Sequence, residues 1–100
     1  MIAYVRALRD YNDAFARGRG RAEVAQILAK HTTVKDLALY DKMIPAGLDP
    51  DGRLNVQSIR DDLDTFGRLG CIISELADVG RVVDESFVQH AVSILGPYQP

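Results

Sequence analysis

Two histidines (His31, His90), one cysteine (Cys71) and fourteen carboxylates are the side chains of this 100-residue chain best suited to chemistry. A metal centre needs several nitrogen, sulfur or oxygen ligands brought together. His31 instead falls near a helix C-terminus, where the dipole favours its protonated form, and His90 on the polar side of a later helix. Ser86 and His90 are four apart, so their side chains could touch on a helix. A serine nucleophile also needs an oriented base and an oxyanion hole, and nothing in the sequence suggests either. Cys71 sits in the apolar run Cys71-Ile72-Ile73, the setting of an inert, buried thiol. Asp61, Asp62 and Asp64 could attract a cation, but helical geometry spreads them around the axis. Asp49, Asp51 and Gly52 begin like a calcium loop, and Arg53 then stands where the third oxygen ligand belongs. Arg17, Arg19 and Arg21 could hold a phosphate, but the Lys-Ser or Lys-Thr ending of a phosphate-binding loop is missing, so they read as a solvated hinge. Tyr4, Tyr11 and Phe15 recur at helical spacing and read as core. The expectation is no catalytic residue, no metal site and no cofactor: the chain does not read as an enzyme, and its ligand-binding residues are unknown.

The elements that carry these residues are helical. Met1, Tyr4, Leu8, Tyr11 and Phe15 fall at spacings of 3, 4, 3 and 4, one seam of a helix over about 2–17. Arg6, Arg9, Asp10, Asp13 and Arg17 take the opposite side, and Gly18-Arg19-Gly20 ends the helix. A second helix runs from about Arg21 to His31, with Val24, Ile27, Leu28 and His31 on one face. Thr33 followed by Asp36 resembles a capping box and starts a short helix carrying Leu37, Tyr40 and Met43, ended by Pro45 and Gly47. Asp49-Pro50-Asp51-Gly52 is a turn sequence, and Asn55 stands where a helix cap belongs. Val56, Ile59, Leu63 and Phe66 then form the stripe of a fourth helix that Gly70 closes. Ser74 to Ala77 read as a single turn. The last helix, capped by Asp84, buries Phe87, Val88, Ala91, Val92 and Leu95. Gly96 and Pro97 stop it, and the tail after them reads as frayed. No segment alternates with period two, so the fold class is all-α, about five helices joined by short loops in a single unit spanning residues 1–100.

Composition bounds the rest. The chain is 47% hydrophobic and 26% charged with a net charge of -2, which excludes intrinsic disorder and a dedicated nucleic-acid binder. It has no apolar run of membrane-spanning length, and a lone cysteine permits no internal disulfide. Charge is uneven: residues 1–35 hold seven basic and three acidic side chains, and residues 36–100 hold five basic and eleven acidic. This reads as a mosaic of solvated helix faces; a two-sided docking surface is the sharper alternative. A folded monomer of this mass exposes roughly 5,600 Å².

Three stretches, AYVRALRDYNDAF (3–15), RAEVAQILAKHTTVKDLALYDKMIPAGLDPDGRLN (21–55) and VDESFVQHAVSILGPY (83–98), carry a family likeness. Their order resembles the C-terminal end of ABC-transporter substrate-binding proteins for nitrate, sulfonate, taurine and thiamine precursors. There an "EVxxILAKHT" helix leads to a "YDxM" helix, a "PAGLDPxGxxN" turn and a closing "VDxSFVxxAVxxLG" helix. The resemblance implies a helical portion of a two-lobe α/β type II periplasmic binding protein, which binds a small solute without catalysis and delivers it to an ABC permease. Ligand contacts in that family come mostly from upstream segments, so no binding residue carries over. The implied location is periplasmic within such a protein, and cytoplasmic if this signal-less chain is made as such. Helices taken from a sheet leave apolar faces uncovered, so the isolated chain is expected to form a homo-oligomer. The alternative reading is a free-standing, self-associating helical module with no solute site.

Overall fold

The computed structural model describes residues 1–73 and 78–100, and every regular element among them is a helix. The reading of Ser74 to Ala77 as one turn lies outside the described residues. Helix α1 (Ile2–Arg17) and helix α2 (Arg21–His31) occupy the ranges their periodicity predicts. Next come α3 (Leu37–Lys42), α4 (Val56–Arg68), the single turn α5 (Val79–Val82) and α6 (Ser86–Leu95). The sequence pattern did not reveal α5, because Val-Gly-Arg-Val is too short to show a period. It forms because the Asp78 carboxylate accepts from the Gly80 N–H at 3.0 Å.

The caps explain the boundaries. Asn55 Oδ1 accepts from the Ser58 N–H at 3.0 Å and starts α4, as expected of a cap. Gly70, at φ +73°, ends it. There the Cys71 N–H donates to the Phe66 carbonyl and the Gly70 N–H to the Gly67 carbonyl, the paired bonds of a Schellman closure. The Thr33 capping box does not form. Asp36 itself caps α3, its carboxylate accepting from the Ala38 N–H at 2.9 Å. At α6 the cap position is Glu85, one residue later than expected. Asp84 accepts from the Ser86 N–H at 2.9 Å just outside the helix.

Two small cores form along α1, one toward its C-terminal end and one toward its N-terminal end. In the first, Ala14, Phe15, Ala25 and Tyr40 are buried, with Tyr11, Val24 and Leu28 packed against them. This core joins α1 to α2 and α3. The Tyr40 hydroxyl, inside it, donates to the Val34 carbonyl at 2.8 Å. In the second, Val5 and Leu8 of α1 meet Ala91 of α6, all buried. The expected seams are covered in the main: Leu8 and Phe15 of α1 and Ala91 of α6 are buried, with Tyr11, Val24, Leu28, Val88, Val92 and Leu95 half-buried beside them. Tyr4 is 57% exposed, and Ile27 and Phe87 also lie outside.

Helix α4 stands apart. Among the described helices it packs only against α5, and none of its residues is fully buried. Phe66 is 47% and Leu69 69% exposed. The chain is accordingly drawn out, 47 × 32 × 21 Å with a radius of gyration of 17.0 Å, against about 13 Å for a compact domain of this length. Its accessible surface, 7324 Å², exceeds the roughly 5,600 Å² of a compact monomer. Among the described residues, no helix is long and apolar enough to cross a membrane.

Candidate functional site

The most structured locus outside the two cores is the segment from Pro45 to Asn55, which lies as a strap over α1 and α6. Its turn forms as the sequence predicts. The Gly52 N–H donates to the Asp49 carbonyl at 2.8 Å and the Asp51 N–H to Asp49 Oδ1 at 2.8 Å. Gly52 takes φ +71°, and a Cβ there would stand 3.5 Å from Leu8 Cδ1 and Val88 Cγ1. The strap thus closes onto the Val5–Leu8 core by its backbone.

Arg9 fastens it. Its Nη2 donates to Asp51 Oδ1 at 2.8 Å and to the Gly96 carbonyl at 2.5 Å, and its Nε to the Pro50 carbonyl at 3.3 Å. Asp51 Oδ1 also accepts from the Tyr98 N–H at 2.8 Å. The side chains of Arg9 and Asp51 are only 17% and 16% exposed, so the solvated face expected for Arg9 is corrected. A planar guanidinium can serve three acceptors at once where an ammonium offers a single point charge. Further bonds seat the strap: Asn12 Nδ2 donates to the Leu48 carbonyl at 2.6 Å, the Ala46 N–H to the Tyr11 hydroxyl at 3.1 Å, and the Leu54 N–H to Glu85 Oε1 at 3.1 Å.

Tyr98 is held in place. Its hydroxyl donates to Asp13 Oδ1, and Arg17 lies over its ring at 5.6 Å. The frayed tail expected after Pro97 is thus pinned at Tyr98. The hydrogen bond to Asp13 comes first in pushing the Tyr98 phenol above its ordinary value, with desolvation adding to it and Arg17 opposing. At the other end of α6, the Ser86 hydroxyl and then the Ser86 N–H hold the Asp84 carboxyl below its ordinary value.

The residues singled out for chemistry do not converge. Among the described residues, no three His, Cys, Asp or Glu side chains stand close enough to share a metal ion. His31 and His90 are both exposed, on α2 and α6. Ser86 and His90 are not hydrogen-bonded to each other, and His90 instead offers its carbonyl to Ser93. Asp61 accepts from Gln57, and Asp64 pairs with Arg68 at 2.9 Å. Cys71 is exposed, contrary to the buried thiol expected. Of the three arginines of RGRGR, read as a solvated hinge, Arg19 is exposed and the other two have partners. Arg21 donates to the Tyr40 carbonyl at 2.8 Å and lies over Phe15 at 5.2 Å, and Arg17 covers Tyr98. Tyr11 and Phe15 are core partners, with ring centroids 4.7 Å apart, and Tyr4 is not.

Arg9, Asp51 and Tyr98 were missed as a group because they are 42 and 47 residues apart, beyond any local pattern. The one available signal was the strength of the Asp-Pro-Asp-Gly turn, which leaves Asp51 on a fixed corner. Arg9 and Asp51 spend their recorded hydrogen bonds on one another and on the strap and tail, so the cluster reads as a structural clasp. The concave surfaces nearby are an open depression of about 380 Å³ between Tyr4 and the strap and a groove of about 290 Å³ between α1 and α2. Comparison with models of known families, with curated proteins and with solved structures found no match.

Proposed function

We propose that this chain is the C-terminal helical portion of a solute-binding receptor for an ABC importer of small nitrate-, sulfonate- or taurine-like molecules, and that it works by binding without catalysis. One observation carries the reading. The three stretches that bear the family likeness, 3–15, 21–55 and 83–98, meet at one point: Arg9 of the first bonds Pro50 and Asp51 of the second and Gly96 of the third. The uncovered face of α4 also supports it, since a helix made to lie against a receptor lobe exposes such a face when the lobe is absent. In this reading the solute site belongs mostly to the lobes, the permease is the partner, and the compartment is the periplasm.

The test is an immunoblot of fractionated native cells with an antibody to residues 83–98. A band well above 11.0 kDa in the periplasmic or membrane fraction supports the receptor. A cytoplasmic band at the chain's own mass overturns it in favour of a free-standing helical module that self-associates through α4. As a second check, taurine, an alkanesulfonate or nitrate should leave the melting temperature of this chain unchanged. A bound ligand at one hundred times its Kd adds about 2.7 kcal/mol.

A further inference from the structure

The groove between α1 and α2 has an apolar floor and an acidic edge. Leu8, Tyr11, Val24 and Leu28 line it, with Leu48 of the strap also against it. A second trough of about 270 Å³ shares Asp10, Val24 and Ile27 with the first, so the two form one continuous channel. Ile27 is 51% exposed on its open side. Asp10 borders both troughs, and Glu23, Asp13 and Arg19 border the second, so carboxylates outnumber the one arginine on this rim. Asp13 is engaged by Tyr98 and Arg17. Asp10 and Glu23 are exposed and form no ion pair among the described residues.

An apolar channel walled by two helices, each about two turns long, is the shape that receives a helix with anchors at i, i+3 or i+4, and i+7. The edge decides the charge of that helix. Asp10 and Glu23 favour Lys or Arg beside the anchors and repel carboxylates. This argues against a second copy of the chain. Its exposed amphipathic helix, α4, brings Asp61, Asp62 and Asp64 against only Arg60 and Arg68, the latter already paired with Asp64.

We infer that the α1–α2 groove is the docking site of a basic amphipathic helix from a partner protein. The inference rests on this chain's own surface and stands whether or not the receptor reading does. The test uses the full chain and a labelled synthetic leucine–lysine helix with the stated spacing, read by fluorescence anisotropy against its leucine–glutamate counterpart. The lysine helix binds saturably, and the glutamate helix binds at least ~10-fold more weakly. Ile27→Ser weakens the lysine helix by roughly 10-fold. Combined Asp10→Asn and Glu23→Gln, both on the exposed edge, weakens it several-fold and flattens its salt dependence. Phe66→Ser, on α4, leaves binding unchanged. Equal binding of the two helices, loss on Phe66→Ser, or indifference to both groove variants overturns the inference. So does a dimer of the chain that dissociates on Ile27→Ser, since the groove would then hold a second copy.

Discussion

Replacing Arg9 by methionine keeps the apolar stem of the side chain and removes the fork that holds Asp51, Pro50 and Gly96 together. The remaining Asp51 carboxylate, 16% exposed, keeps only the Tyr98 N–H as a partner from beyond its own turn. Because the loss leaves a mostly buried charge unpaired, Arg9→Met is expected to cost about 2–4 kcal/mol. Asp51→Asn, whose amide oxygen can still accept both bonds, should cost nearer ~1 kcal/mol. Urea unfolding of the two variants checks the order, and a larger loss in Asp51→Asn would refute the clasp. Tyr98 gives a pH signature. Its phenol ionises above the ordinary 10.0 in the folded chain, chiefly through its bond to Asp13. A raised folded pKa means the contribution is fully present below pH 10.0 and is lost as pH rises through the folded value. Tyr98→Phe should remove that alkaline loss, seen as a smaller drop in melting temperature between neutral and strongly alkaline pH than in the wild type.

At the scale of elements, α4 and the strap behave differently because one is packed and the other is not. No residue of helix α4 is fully buried, and only Val56, Ile59 and Leu63 of its stripe are half-buried, so much of its stability comes from its caps and from side-chain pairs such as Asp64–Arg68, each worth about 0.3–0.5 kcal/mol. Asn55→Ala removes the bond to the Ser58 N–H and is expected to cost α4 about 1 kcal/mol. The effect should be local: faster amide exchange from Ser58 through α4, with exchange in α1 and α6 unchanged. A loss of protection across all helices would mean that α4 is coupled to the cores after all. The strap is the opposite case. Gly52→Ala places a methyl at ordinary contact distances of 3.5–3.6 Å, so sterics are tolerated. The positive φ still costs about 1–2 kcal/mol, and because Gly52 touches Leu8, Val5 and Val88 the whole transition should shift in thermal unfolding.

For the whole molecule, the governing fact is a small core inside an extended outline. Among the described residues, seven hydrophobic side chains are buried, and the radius of gyration of 17.0 Å exceeds the about 13 Å of a compact chain of 100 residues. The apolar surface left on and beyond α4, at Phe66, Leu69, Ile73 and Val82, is the kind that draws chains together. The isolated chain is expected to sediment as a concentration-dependent oligomer, and Phe66→Ser to shift it toward monomer without loss of helicity. X-ray scattering at low concentration offers the complementary check: a monomer near 13 Å would mean that α4 folds back onto the cores.

The sequence by itself determined the class of this protein's elements and the boundaries of the longer ones. Helical periodicity, Asn55, Gly70 and the Asp-Pro-Asp-Gly turn act over a few residues, so the ranges of α1, α2 and α4 and the bend at Gly52 could be read directly. It did not determine which members of each seam would be left uncovered. Tyr4, Ile27 and Phe87 belong to apolar seams and stay exposed, because burial depends on where the neighbouring helices stand, and that is fixed by contacts far apart along the chain. The same limit hid the clasp. Arg9 looked like one more charge on a solvated face, and Tyr98 like part of a loose tail. Only the tertiary structure brought them to Asp51 and Asp13, where each charge or hydroxyl lost its water and had to find a partner. The α1–α2 groove belongs to that second kind of knowledge too. Its floor comes from two seams legible in the sequence, but its width and its unpaired edge carboxylates follow from how the helices pack.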